Sequence, residues 1–256
     1  MSCPPQQSPV QQPPPVQRVR VRYTKRGRLR FTSHRDIGRA FERAVRRAGL
    51  PVAYSSGFHP HPRLSYAGAA PTGAASEAEY LEIGLAQRCS ADAVRVALDA
   101  AMPSGLDVVD AVTAAPGGLA ERLQASRWQV RMPGVGTVAA RAAVAALLAA
   151  DSVEVSRQTK KGLRTFDVRG AVVSLRVGGS AASREGLAAQ CVILEMVVRH
   201  GQPSARPDDV LAGLRKVAGL EASSAPLAQR LEQGPLDPRD GTVGDPLAPD
   251  RDTYDA

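Results

Sequence analysis

RVRVRYTKRGRLRFTSHRDIGRAFERAVRRAG, from Arg18 to Gly49, decides the fold of the front half of this chain. Val19, Val21 and Tyr23 alternate with Arg18, Arg20 and Arg22, the period-2 pattern of a strand with one buried face. A turn at Lys25–Arg28 and Leu29-Arg-Phe31 follow. Ser33 with Asp36 three residues later resembles a capping box, with Asp in place of Glu or Gln. Apolar residues then fall at Ile37, Ala40, Phe41, Ala44, Val45 and Ala48, one face of a helix that Gly49 and Pro51 end. Arg35, Arg39, Arg43, Arg46 and Arg47 lie off that stripe.

Outward from this segment, short strands are expected at 52–55, 63–67 and 79–86, a helix at 90–101 and a strand at 106–113. The order is β-α-β-β-α-β with one extra short strand, which suits a ferredoxin-like fold. After Pro116-Gly-Gly118 the pattern starts again. A strand is expected at 128–132, an alanine-rich helix at 138–150, strands at 153–157, 164–168, 171–177 and 190–199, and a helix at 208–217. The predicted class is α+β, with two ferredoxin-like units (a duplicated βαββαβ type) at 18–115 and 116–222. Residues 1–17, almost entirely Pro, Gln and Ser, read as a disordered arm. Residues 223–256 read as an acidic disordered tail, with three arginines against seven acids from Arg230 onward. Such a tail can compete for a basic face.

Charge and aromatics are unevenly placed. Between Arg18 and Arg47 twelve Lys/Arg stand against two acids, whereas the whole 256-residue chain carries only +8. Four of the 33 basic residues are lysines (Lys25, Lys160, Lys161, Lys216), so arginine-rich codon usage accounts for much of the overall basicity and the clustering is the better signal. Seven of the ten aromatics lie between Tyr23 and Tyr80, and three of the four histidines with them. Basic side chains pair with phosphates and interleaved aromatics stack on unpaired bases, so the pattern points to RNA. Cys3, Cys89 and Cys191 make no zinc or disulfide spacing and suit a reducing cytoplasm. MSCPPQQSPV has no secretory pattern, and the longest apolar run, Ala142–Ala150, is too short for a membrane span. The expectation is a cytoplasmic protein with no membrane partner, no cofactor and no bound metal.

The candidate nucleic-acid-binding residues are Arg18, Arg20, Arg22, Lys25, Arg39, Arg43, Tyr54, Phe58, His59, His61 and Arg63. Alternate arginines on a strand repeat every ~6.6 Å, close to the reach between phosphates. A solvated outer strand face would look the same. In the loop Tyr54-Ser-Ser-Gly-Phe-His-Pro-His-Pro-Arg63, Gly57, Pro60 and Pro62 would hold Phe58, His59, His61 and Arg63 as a clamp for a base and its phosphate. In the alternative, Phe58 plugs the core. His34 and His59 are catalytic candidates for acid–base RNA cleavage. With His61 they also have the composition of a three-histidine zinc site, without an acidic ligand nearby. Asp167 and Arg169, alternating with Phe166 and Val168, are outward strand positions that could extend the basic face.

Ser33-His34-Arg35-Asp36, the Tyr54–Pro62 run, Gly73-Ala-Ala-Ser76 and Glu79-Tyr80 together resemble the radical-SAM-linked protein family, of unknown function. Thr159-Lys-Lys-Gly162 and Phe166-Asp-Val-Arg169 extend the resemblance over roughly residues 18–215. Arg35 stands where an apolar residue is usual, and the stretch 67–75 is unusually small and alanine-rich. The resemblance implies a radical-SAM protein as partner. The chain lacks the three close cysteines of such an enzyme's cluster, so radical chemistry is not expected of it. The expected function is an RNA-binding or substrate-presenting accessory protein working with a radical-SAM enzyme, in RNA modification. The alternatives are a metal-independent endoribonuclease using His34 or His59, and a protein–protein adaptor without nucleic acid.

Overall fold

Val19, Val21 and Tyr23 all enter a core, so β1 (Gln17–Lys25) forms where the alternation places it. The computed structural model describes residues 11–159, 162–178 and 191–254. After β1 come a 3₁₀ helix (Gly27–Phe31), α1 (His34–Arg47), β2 (Leu64–Ala67), β3 (Ala75–Leu85), α2 (Ala91–Ala101) and β4 (Val108–Thr113). Then follow α3 (Leu119–Arg122), β5 (Ala125–Pro133), α4 (Thr137–Ala149), β6 (Glu154–Thr159), β7 (Gly162–Asp167) and β8 (Val172–Val177). The last elements are β9 (Cys191–Arg199), α5 (Pro207–Ala218), β10 (Leu227–Gly234) and α6 (Ala248–Tyr254). The class is α+β. The chain divides into two units, one holding residues up to Ala69, Glu79–Gly117 and Leu247 onward, the other Ala70–Ala78 and Gly118–Pro246.

In the first unit the strand order is β4-β1-β3-β2, with β1–β4 and β2–β3 antiparallel. Ile37, Phe41, Ala44 and Val45 of α1 pack with Val94 and Leu98 of α2 against Val19, Val21, Leu81 and Ile83. Tyr23 and Phe41 meet edge to face at 4.7 Å, a favoured aromatic geometry. The α1 cap is reciprocal: Ser33 Oγ accepts from the Asp36 amide and donates to the Asp36 carboxylate at 2.7 Å. Gly49, with φ of 63°, supplies the left-handed residue that ends the helix. The strand expected at 52–55 does not form. Val52 and Tyr54 make only isolated bridges, to Leu85 and Pro62, because the proline-stiffened loop closes on itself.

Both expected tails need correction. Residues 1–10 of the arm lie outside the described residues, but the rest is held against the first unit. Val16 donates its amide to the Leu85 carbonyl at 2.8 Å, and the Gln12 amide donates to Ser56 Oγ. Pro15 lies so close to Gly84 that a Cβ there would sit 3.2 Å from the proline and equally close to Arg63. Proline needs no partner for a missing N–H, so an extended proline segment can lie on a strand at little cost. At the other end, β10 and α6 are ordered elements within the acidic segment. Charged residues there find buried partners, which composition alone does not reveal.

In the second unit the order is β10-β5-β9-β8, and β5 is antiparallel to both neighbours. The first residues of β3, Ala75 and Ser76, pair in parallel with Gln229 and Arg230 of β10. β6 and β7 form a separate two-stranded hairpin between α4 and β8. The core gathers Trp128, Val130, Leu147, Leu194, Met196 and Leu214. Ala70 and Ala74, from the alanine-rich stretch, are buried in it, so small side chains there serve packing. Among the described residues no helix is long and apolar enough to cross a membrane.

Candidate nucleic-acid interface

The β1 arginine row is mostly engaged within the protein. Arg20 is 1% exposed: its Nε donates to Glu82 at 3.1 Å, its Nη1 to Asp250 at 2.6 Å, and its Nη2 to the Gly117 carbonyl. Asp250 also accepts from the Ala115 amide, so the α6 carboxylate is held at two points in the first unit. Arg18 is 60% exposed but shares Glu82. Arg22 is half-buried opposite Asp110 of β4, with Nε lacking a hydrogen-bond partner among the described residues, and Asp110 pairs with Arg251. Lys25, 1% exposed, lies on the inward face of β1 with Tyr23. The expectation of a phosphate-binding strand face is therefore corrected at Arg20 and Lys25. Burying a guanidinium demands carboxylates beside it, and those partners come from β3 and from α6.

The exposed charge lies one element further on. Arg26 before the 3₁₀ helix, Arg28 on it, and Arg35, Arg39, Arg43 and Arg46 on α1 face solvent. Arg39 is in an exposed pair with Asp36 at 3.6 Å and Arg26 with Asp107 at 3.3 Å, contacts of little energetic weight. Phe31 is 60% exposed, and Arg30 lies over its ring at 4.6 Å from the centroid. An aromatic face with a guanidinium beside it is the local geometry that stacks a base and holds its phosphate.

The 54–63 loop is closed by its own backbone: the Ser55 amide donates to the His61 carbonyl, and the His61 amide to Ser55 Oγ. Gly57, at φ of 125°, permits the bend, and Phe58 at the tip is 70% exposed. This excludes the core-plug alternative for Phe58. Arg63 is used partly inside the loop, its Nε donating to the Tyr54 carbonyl at 2.9 Å, and Tyr54 is half-buried on the core. His59 and His61 are exposed.

His34 begins α1 and meets Tyr66 edge-on at 5.1 Å. Its ring nitrogens have no hydrogen-bond partner among the described residues, so no group orients it as a general base. Burial, with the Glu42 charge adding to it, pushes the Tyr66 phenol above its ordinary range. Among the described residues no three His, Cys, Asp or Glu side chains form a metal-ligating group. In the second unit, Arg169 caps α4 by donating to the Leu148 carbonyl, and Asp167 accepts from the Val153 and Arg169 amides. Lys160 and Lys161 lie outside the described residues.

Sequence reasoning missed the fourth histidine. His200 Nδ1 contacts the Leu123 carbonyl at 2.7 Å and Nε2 contacts Ser126 Oγ at 3.0 Å, while the Trp128 indole N–H donates to the same Oγ. A carbonyl only accepts, so Nδ1 carries the proton and Nε2 accepts from the serine hydroxyl. Arg230, which is buried, donates to Ser76 Oγ and lies over Trp128. Its signal was present in the Ser76 of the Gly73-Ala-Ala-Ser76 motif, but its partner is 154 residues away.

An α+β protein with an arginine- and aromatic-bearing helical face is the class these features define. The chain belongs to the family described as "Uncharacterized protein conserved in bacteria (DUF2344)", which matches residues 18–207. That description names neither a reaction nor a partner. A comparison with curated proteins found no match. Among solved structures, "Crystal Structure of a Cbf5-Nop10-Gar1 Complex" is similar at a TM-score of 0.43 and 9% identity, covering 84% of this chain and 48% of that one. The chain thus spans about half the length of the chain it resembles.

Proposed function

We propose that this protein binds single-stranded RNA through the 3₁₀–α1 face and the 54–63 loop of its first unit. It would act as a cytoplasmic accessory that presents RNA to a partner enzyme. The observation that carries the reading is the exposure of Phe31 and Phe58, 60% and 70%, in the unit whose α1 arginines face solvent. A large aromatic left in water with a guanidinium over its ring, as Phe31 has in Arg30, is suited to stacking a base. A radical-SAM protein is the partner we infer, from the motif resemblance. We read both units as ferredoxin-like, because the strand orders β4-β1-β3-β2 and β10-β5-β9-β8 repeat one scheme, the β6–β7 hairpin being an insertion in the second.

The test is a salt titration of RNA binding. Replacing Arg35, Arg39, Arg43 and Arg46 together with Gln should lower affinity and flatten the log–log salt slope by up to about 0.7 per lost phosphate contact. Thermal stability should hold, since these side chains face solvent. Unchanged affinity and slope in a filter-binding assay would remove α1 from the interface.

A further inference from the structure

We propose that a second site in the first unit, a cleft at the start of β1, binds one phosphate monoester. The cleft holds about 300 Å³ and is lined by Gln17, Arg18, Arg20, Arg88 and the Thr113–Gly117 segment. Three arginines line it: Arg20 is neutralised by Glu82 and Asp250, which lie outside the lining, Arg18 shares Glu82, and Arg88 brings a charge unpaired among the described residues. Oxyanions of double charge suit such a lining, because a guanidinium fork matches phosphate oxygens in both geometry and charge. At the small end of ligand cavities, the volume suits a phosphate with its sugar more than a large cofactor.

The lining is held in place before any ligand arrives. Arg20 forms a fixed wall, tied to Glu82, Asp250 and the Gly117 carbonyl. Arg88 is exposed and has no hydrogen-bond or ion-pair partner among the described residues. Its neighbour Cys89 is clasped by Gln17 from both sides: Nε2 donates to the Cys89 carbonyl at 3.0 Å and Oε1 accepts the Cys89 amide at 2.8 Å. Gln17 Nε2 also reaches Thr113 Oγ1 at 3.2 Å, which ties the Arg88 loop to β4. Arg18 spends one contact on Glu82 and keeps its remaining N–H groups for a ligand. Arg88 is thus a free cation on a pinned backbone, and that pre-arrangement lowers the ordering cost of binding.

This site stands apart from the α1 face. The same chemistry would take the 5′ end of an RNA or a free nucleoside monophosphate. The experiment uses the full-length protein in calorimetric titrations with AMP and with one short oligoribonucleotide carrying either a 5′-phosphate or a 5′-hydroxyl. Wild type is compared with Arg88→Gln and with the α1 quadruple variant. AMP, the 5′-phosphorylated oligonucleotide, or both should bind about ten-fold or more tightly to wild type than to Arg88→Gln, the worth of one charge-assisted hydrogen bond. Arg88 is exposed, so its variant should keep the wild-type melting temperature. Binding of AMP that weakens in Arg88→Gln, with neither oligonucleotide bound, assigns the cleft to a free monophosphate and leaves it supported, whereas AMP bound alike by both proteins overturns it. The proposal is overturned if AMP does not bind and the two oligonucleotides bind alike to wild type and Arg88→Gln. If that common affinity is lost in the α1 variant, the RNA face survives while the cleft does not.

Discussion

α1 and α4 occupy the same place in their units, each the first helix after the first strand, and they share little except an inward stripe. Ile37, Phe41, Ala44 and Val45 are buried on α1, and Ala140, Ala143, Val144 and Leu147 on α4, both at helical spacing. The outer faces differ: α1 carries five arginines, α4 the single Arg141. The first strands differ in a related way. β1 turns Arg20 into a buried, fully engaged ion pair, whereas Arg127 on β5 pairs with Glu232 at the surface, 38% exposed. The frame requires only the apolar stripe. The charge on α1 is therefore free to serve binding, while the charge on β1 has become part of the fold.

The largest effect that could break this comparison is at Arg20. Arg20→Met should destabilise the protein by about 3–5 kcal/mol, because Asp250 and Glu82 keep their charges and lose the buried partner. Asp250→Asn on that background should restore part of the loss. Arg127→Gln, at a solvent-exposed pair, should cost no more than about 1 kcal/mol. Urea unfolding of the three variants measures all of this. Equal losses at Arg20 and Arg127 would show that burial does not separate the two strands.

A smaller effect concerns binding alone. Phe58→Ala should weaken RNA affinity by about 1–3 kcal/mol, the usual worth of one stacked base. The melting temperature should not move, since the ring is 70% exposed. Fluorescence anisotropy and a thermal melt on the same preparation decide it. A lower melting temperature with intact affinity would return Phe58 to a structural role.

How legible was this in the sequence? Alternation in β1, the apolar stripe of α1 and its Ser33–Asp36 cap are local patterns, and the structure forms them there. β10 was not legible: Leu-Ala-Gln-Arg-Leu-Glu-Gln-Gly lacks β-branched residues, and pairing with β5 and the start of β3 makes it a strand. Arg20 looked like a surface residue because Asp250 is 230 positions away. The 54–63 loop was recognisable from Gly57 and its prolines, but whether Phe58 pointed in or out was not. Arg88 drew no attention, since a lone arginine gains meaning only when Gln17 and Arg20 are brought beside it.

The smallest expected effect separates the histidines of the two units. His34, His59 and His61 are exposed in the first, whereas His200 in the second is half-buried with both ring nitrogens in contact with the protein. Burial pushes the His200 pKa below the ordinary histidine value, partly opposed by the Leu123 hydrogen bond, and the nearby Arg230 charge lowers it further. The hydrogen bonds agree with that direction. Protonating Nε2 would place a donor against the Ser126 hydroxyl that now donates to it. The unfolded chain takes its proton near pH 6.5, the folded chain only at lower pH. Stability from this group is therefore complete above the unfolded pKa and falls as pH drops from about 6.5 through the folded value. His200→Asn keeps an amide donor for the Leu123 carbonyl and cannot titrate. The difference in stability between wild type and this variant should shift towards the variant between neutral pH and about pH 5. Urea midpoints at several pH values measure it. Parallel curves for the two proteins across that range would show that His200 is accessible to protons in the folded state.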